Sequence, residues 1–362
     1  MQVFGPAFET SAKGKRYPGE MPMPKRITLT DVAKEAKVSL ATASRAINGS
    51  ETRKIRPDLK ERVKQAADKL GYTPDANAQA MAKGHTDTVG LIVNDISDPY
   101  FSSIAAGVVK AADNAGLTMS LVSTQHEPRR EGEYLRLLNR QRVRAIIIAG
   151  GRWEENSIAS ETDKSLDEYL RSGGSVALIG QPLLNISTVQ IENASGASSL
   201  AEHMREQGFE RAAILAGPPS HATARERTSA FIRRFAELGG KVKTTDVIHS
   251  AFTREGGEAA MVELLSKEKS YDVVFAVNDL MALGALAVAR KNNLSVPKDF
   301  ALAGFDDIPS LQDVVPSLTT VHIPLFEVGI AATELALRES DNIQMISVET
   351  ELVIRDSTSK TS

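Results

Sequence analysis

The chain contains no cysteine, so neither a disulfide framework nor a thiolate metal site holds it together, a composition compatible with a cytoplasmic location. Its 362 residues include no run of eighteen apolar residues, which argues against a membrane-spanning helix. The six histidines, at 85, 126, 203, 221, 249 and 322, are scattered without a zinc-ligand spacing. The patterns GxGxxG, GxxxxGK[ST] and GxSxG are missing as well, so no dinucleotide, phosphate-loop or hydrolase motif supports an enzyme. What remains is a globular composition, 42% hydrophobic, in a chain longer than one core usually serves. That length predicts a small head and a larger body of two lobes.

Net charge is also scarce, at −3, but its distribution is uneven. Residues 25–84 hold thirteen Lys/Arg against seven Asp/Glu, whereas residues 85–362 hold twenty-seven against thirty-seven, which is +6 against −10. The asymmetry points nucleic acid toward the head. Within it, TLTDVAKEAKVSLATASRAING (28–49) reads as two short helices. Val32, Ala33 and Ala36 face inward on the first, which Thr28 and Asp31 start as a capping box. Lys37-Val38 breaks the chain and Ser39 caps the second. There Ala43, Ala46 and Ile47 face inward, leaving Leu40, Ala41, Thr42, Ser44, Arg45 and Asn48 outward. A third amphipathic run opens at Pro57, buries Leu59, Val63, Ala66 and Leu70, and stops at Gly71.

The pattern TLTDVAKEAKVSLATASRAIN, followed by the turn and the helix ending in LGYTPDANAQAMAKG, resembles the DNA-binding head of the lactose-repressor/galactose-repressor family. The resemblance implies that Leu40, Ala41 and Thr42 present the base-reading side chains, Leu40 and Ala41 through thymine methyls. It makes Ser44, Arg45 and Asn48 partners of phosphate or base edge, with Arg45 the foremost, and sets Thr28 and Thr30 on the backbone. Asn77 and Met81 fall on the family's hinge helix, with Met81 at the position that wedges into the minor groove, where leucine is more usual. The connection SETRKIRPD is about two residues longer than the family pattern and adds Arg53 and Lys54 near the backbone. A solvated surface arginine at 45 and a plain linker around Met81 are the alternatives.

From Thr88 onward apolar runs alternate with amphipathic helices. Strands are expected at 88–93, 118–123, 144–150, 175–180, 212–217, 241–248, 272–277 and 300–305, with helices between them. This is the pattern of buried parallel sheets covered on both faces. Ligands in such sheets sit at the carboxyl ends of strands, where NDISDPYF, GGRWEE, HATARERTSAF, NDLMALGAL and GFDDIPSLQDVVPSLTTV lie. These stretches resemble the effector-binding domain of the same family, which is similar in fold to periplasmic sugar-binding proteins with three interlobe crossings. The resemblance covers about residues 25–356. It implies that Arg227, Asn278 and Asp306 bind polar groups of a small effector, a sugar, polyol or nucleoside-like molecule. Phe252 and Phe101 would wall the pocket, with Tyr100 adding aromatic surface and Trp153 as a lid; Glu154, where the family often has a short polar residue, would bear on ligand choice. Core packing for Phe101 and Phe252, helix capping for Asn278, and a surface anchor for Trp153 are the competing readings.

The expected organisation is a disordered leader (1–24), which Met21 or Met23 would shorten as alternative starts, and a three-helix helix-turn-helix domain (25–73). A hinge helix and linker (74–85) lead to an α/β body of two Rossmann-like lobes (86–356) and a tail (357–362). The N-terminal lobe is expected to take about 86–183 plus 307–321, and the C-terminal lobe 184–306 plus 322–356. A single helix-turn-helix reads only a few base pairs, so a homodimer on a pseudo-palindromic operator is expected. The sequence after ETELVIRDS leaves no room for a tetramer-forming tail. The sum is a bacterial, nucleoid-associated regulator with no cofactor, no metal and no catalytic role.

Overall fold

The computed structural model describes residues 27–48, 55–153, 156–182, 186–267, 271–338 and 342–359. The chain forms two compact units, one ending at Ala82 and one beginning at Lys83. The leader, Arg53, Lys54 and Glu154 lie outside the described residues.

In the first unit, α1 (Leu29–Glu35) and α2 (Leu40–Asn48) pack on α3 (Pro57–Leu70). The carboxylate of Asp31 accepts from Thr28 N–H at 2.9 Å and from its hydroxyl at 2.7 Å, closing the box that starts α1. Lys37, at φ 51°, makes the turn, and Ser39 Oγ accepts from Thr42 N–H at 3.1 Å to start α2. Gly71 ends α3 in the left-handed conformation, at φ 64°. The core comprises Val32, Ala33, Ala36, Ala43, Val63, Ala66 and Ala67. Ala67 replaces Leu59, which is only half-buried. A fourth helix, α4, spans Ala76–Lys83.

The second unit contains two parallel sheets. The first runs β11 (Met345–Val348), β5 (Ser187–Ile191), β4 (Ser175–Ile179), β3 (Ala145–Ala149), β1 (Thr88–Val93) and β2 (Thr118–Ser123) in spatial order. The second runs β7 (Lys241–His249), β6 (Arg211–Ala216), β8 (Val273–Ala276) and β9 (Ala301–Ala303). Strands β3 and β8 are buried at every position, as central parallel strands must be. Helices α5 (Pro99–Asn114), α6 (Arg129–Arg140), α7 (Asn156–Arg171) and α12 (Leu325–Leu337) belong to the first lobe. Helices α8 (Asn193–Glu206), α9 (Ala222–Glu237), α10 (Arg254–Leu265) and α11 (Asp279–Lys291) belong to the second. No helix among the described residues is long and apolar enough to cross a membrane.

The lobe boundaries expected from sequence need correction. β5 pairs in parallel with β4, so the chain stays in the first lobe to Ile191 and crosses before α8. Residues 307–321 do not return to the first lobe: β10 (Thr320–His322) pairs antiparallel with β12 (Glu351–Val353), and Thr319 bridges to Ala303 of β9. The segment 325–348, expected in the second lobe, instead supplies α12 and β11 to the first. Helix α12 crosses α5 so closely that a Cβ on Gly107 or Gly329 would overlap the facing backbone. The chain therefore crosses near 192, 323 and 350, and these crossings frame the cleft between the sheets.

Candidate functional site

The carboxyl ends of both sheets face one cleft with about 510 Å³ of empty space, its mouth included. That lies within the roughly 300–1,000 Å³ typical of small-molecule sites. Arg227, on the first turns of α9, is its electrostatic centre and is only 1% exposed. Its Nε donates to Asn193 Oδ1 at 2.8 Å, its Nη1 to Val277 O at 2.9 Å, and its Cζ sits 3.8 Å from the centre of the Phe305 ring. A buried guanidinium held on so many sides cannot swing away; it presents a fixed positive edge.

Asp306 stands next to it, with Oδ1 2.8 Å from Arg227 Nη1. The contact is an ion pair without hydrogen-bond geometry, so Oδ1 is buried with no directed donor among the described residues. Burial pushes the Asp306 carboxyl well above the usual carboxylate range, and the charge of Arg227 only partly opposes it. Its backbone is left-handed, at φ 119°, as is that of Asp307 at φ 59°. The adjacent carboxylates have separate fates. Asp307 turns from the cleft to pair with Arg355 at 2.6 Å and His322 at 3.0 Å.

Asn278 does both things that the sequence left open. Its Oδ1 accepts from Met281 N–H at 2.9 Å as the cap of α11, and the residue lines the cleft. Asp279 is instead a structural tie, accepting from Thr320 Oγ1 at 2.7 Å and Ile308 N–H at 2.9 Å; burial pushes its carboxyl up to about 7. On the first lobe, Asp98 caps α5 by accepting from Tyr100 N–H at 2.9 Å, and burial pushes it up to about 6. Tyr100 and Phe101 meet edge to face at 4.9 Å, and burial raises the Tyr100 hydroxyl above its ordinary value. Both residues line the cleft.

The remaining wall joins the lobes. Trp153 meets His221 edge to face at 5.1 Å, and His221 stacks on Phe252 at 5.1 Å. The two lobes form a short backbone ladder here, with Trp153 bridging His221 and Ala222 N–H donating to Arg152 O at 2.9 Å. Only glycine fits at 151, because a Cβ would overlap the His221 ring. Burial, with the nearby Arg227 charge, pushes His221 down to about 4, so its ring is neutral near pH 7. Gln181 Nε2 reaches across to Thr223 Oγ1 and Glu226 Oε2, at 3.1 Å each.

The cleft thus gathers Tyr100, Phe101, Trp153, Arg227, Phe252, Asn278 and Asp306. Sequence reasoning overlooked Asn94, Asp98, His126, His221 and Thr223, which line it too. Each follows a strand end or opens a helix, the very places where ligands of parallel sheets bind. Arg225, in the same HATARERTSAF stretch as Arg227, is exposed and lines a different recess, between α9 and β7. One residue along a helix rotates the side chain by about 100°, so two residues apart cannot share a face.

On the head, Thr28, Thr30, Leu40 and Ala41 are exposed, and Thr42, Ser44, Arg45 and Asn48 are half-buried along α2. Several of these already have partners: Thr42 Oγ1 lies 2.8 Å from Ser39 Oγ, Asn48 Nδ2 donates to Ser44 Oγ at 3.3 Å, and Asn48 Oδ1 accepts from Gln79 at 3.1 Å. Met81 projects from α4, 76% exposed, and of Asn77 only the backbone is described.

Residues 28–75 match the family of bacterial regulatory proteins, lacI family, and residues 201–358 match the periplasmic binding protein-like domain. The transcriptional regulator GalS of Salmonella typhimurium is 33% identical over 314 residues, covering 86% of this chain and 89% of that protein. A solved complex of the transcriptional regulator CelR with cellobiose is 31% identical, with a TM-score of 0.67 over 92% of this chain and 100% of that one. The lac repressor dimer bound to operator, at 22% identity, shares the fold with a TM-score of 0.78 over 92% of this chain and 99% of that one. With its head matching the family model and a 33%-identical regulator covering 86% of it, the chain belongs to the lacI family of bacterial regulatory proteins and is a DNA-binding transcriptional regulator.

Proposed function

We propose that this regulator is a homodimeric repressor of a pseudo-palindromic operator, released by a small sugar or polyol bound between the lobes. The observation that carries the ligand class is the pair Arg227 and Asp306. A hydroxyl is both donor and acceptor, so one diol satisfies the undirected Asp306 Oδ1 and takes a hydrogen bond from the adjacent cation. Asn278 adds a further polar contact, and the rings of Trp153, Phe252, Tyr100 and Phe101 supply the apolar faces that a sugar ring's C–H groups need. The ligand is bound and released unchanged.

On the DNA side, Leu40, Ala41, Thr42 and Arg45 read base edges from α2, while Thr28, Thr30, Ser44, Asn48, Arg53 and Lys54 meet the backbone. Asn77 and Met81 of α4 enter the minor groove. Occupancy of the cleft changes DNA affinity only by the difference in ligand affinity between the two dimer arrangements, typically 1–3 kcal/mol or about 5–150-fold.

The test is a thermal-shift and calorimetric screen of sugars, polyols, nucleosides and phosphorylated sugars, run beside sedimentation. A dimer of about 78 kDa, twice the 39.0 kDa chain, is expected. The ligand found should bind Asp306→Ala at least about tenfold more weakly, as befits a lost charge-assisted hydrogen bond of about 1.5–3 kcal/mol. Unchanged affinity in D306A, or a ligand without adjacent hydroxyls, would overturn the ligand class; tighter operator binding with ligand would reverse the sign.

A further inference from the structure

The body is acidic overall, yet one edge of its first lobe is basic. Helix α6 ends at Arg140, and Arg142 and Arg144 follow before β3; the first two are exposed and the third half-buried. Arg130, Arg136 and Arg171 pair with Glu127, Glu161 and Asp167, but no ion pair among the described residues engages Arg140, Arg142 or Arg144. The backbone fixes their positions. Arg142 O accepts from Thr86 N–H at 2.8 Å, and Arg144 N–H donates to Thr88 O at 2.8 Å. Arg142 and Arg144 share a recess of about 890 Å³ of open space with Lys83, His85, Ser172 and Gly173.

Cations in the last turn of a helix offset its dipole, which accounts for Arg140. Arg142 and Arg144 lie beyond the cap at Gln141 and need another reason. The chain supplies one. His85 follows Met81 by four residue steps, a span of at most about 14 Å. With Met81 in a minor groove roughly 6 Å wide, the phosphates bordering that groove fall within reach of the recess.

We propose that Arg140, Arg142 and Arg144, with His85 at the rim, form a second DNA-backbone site carried by the body. The inference rests on the hinge reading of α4. Phosphate contacts of this kind position the protein without reading sequence, so they strengthen operator and mixed-sequence binding alike. Each dimer brings two copies of the edge to the duplex.

The experiment uses full-length protein and anisotropy titrations over a range of KCl, on the selected operator and on a mixed-sequence duplex. R142Q/R144Q removes four charges per dimer, and at about 0.9 per phosphate contact the log–log salt slope should flatten by up to about 3.6. Affinity at low salt should fall about tenfold or more on both duplexes, leaving their ratio unchanged, and R142K/R144K should restore it. R129Q/R130Q removes equal charge from the other end of α6, about 18 Å away and beyond the ~10 Å screening length at 0.1 M salt, and should leave the slope alone. An unchanged slope in R142Q/R144Q, or equal losses in both glutamine doubles, would overturn the site. Wild-type protein that never prefers operator over mixed sequence would overturn the repressor reading itself, and this one with it.

Discussion

Asp98 has two duties that pull its charge in opposite directions. As the cap of α5 it gains from ionisation, because a carboxylate accepts the Tyr100 N–H bond and faces the positive helix end. Buried at the cleft it loses more by desolvation, and its carboxyl rises to about 6. An acid raised by folding holds more protons folded than unfolded between its two pKa values. Stability contributed by the neutral form is therefore full below about 3.9 and is lost as pH climbs through about 6. Asparagine keeps the acceptor and drops the charge. At 1.36 kcal/mol per pK unit, Asp98→Asn should stabilise the body at pH 7.5 by up to about 3 kcal/mol and by almost nothing near pH 4. Urea unfolding at both pH values reads this directly, and an equal gain at the two would show that the charge is not the cause. Asp306 is not open to the same repair, since its carboxylate is the group proposed to meet ligand hydroxyls. Two buried acids at one cleft thus divide between structure and recognition.

Among elements, α2 is the one that carries the proposed base-reading residues. Its inner face is small, so α1 and α3 approach closely and Leu40, Ala41 and Arg45 are left outward or half-outward. Arg45→Ala should cost about 1–3 kcal/mol of discrimination between the operator and a single-base variant, measured by competition, while affinity for mixed sequence changes little. Equal losses on all sequences would make Arg45 a backbone contact. The same elements show what a sequence discloses. The capping box, the turn at Lys37 and the stop at Gly71 are local chemistry, and the long apolar runs of β1, β3, β4, β6 and β8 can only be buried parallel strands. β5, STVQI, is short and half polar; β11 is mostly exposed at a sheet edge; α12 is apolar on nearly every side because sheet and α5 both cover it. None carries a clear period, so none could be assigned to a lobe, and the crossings went astray with them. The cleft suffered less. Arg227, Asn278 and Asp306 follow strand ends, whereas Asp98 and His221 cap α5 and α9, and their second role depends on the other lobe.

For the whole molecule, the question is what cleft occupancy changes, given that the lobes already touch. Gln181 reaches Thr223 and Glu226, and the 150–153 loop pairs with 221–222. Two such hydrogen bonds together contribute about 1–3 kcal/mol toward closure without any ligand. A ligand that releases DNA by closing the lobes therefore acts on a protein already partly closed, and the latch limits how far it can shift the balance. Glu226 accepts from Gln181 and, at 3.2 Å, from Asn193 but does not line the cleft, so Glu226→Ala loosens the latch without removing a side chain that lines the ligand site. Operator binding without ligand should tighten several-fold, ligand should bind more weakly by a similar factor, and the ratio of operator affinities without and with saturating ligand should widen. Gln181→Leu, which removes the contacts to both Glu226 and Thr223 from the other lobe, should do likewise, and small-angle scattering should show a larger radius of gyration for both variants without ligand. Linkage ties the first two effects together: a change that favours the open lobes must help whatever binds them and hinder whatever binds the closed ones, by the same free energy. A variant that expands in scattering yet leaves operator affinity untouched would separate lobe closure from DNA release, and ligand control would then have to run through the contacts of the proposed dimer instead.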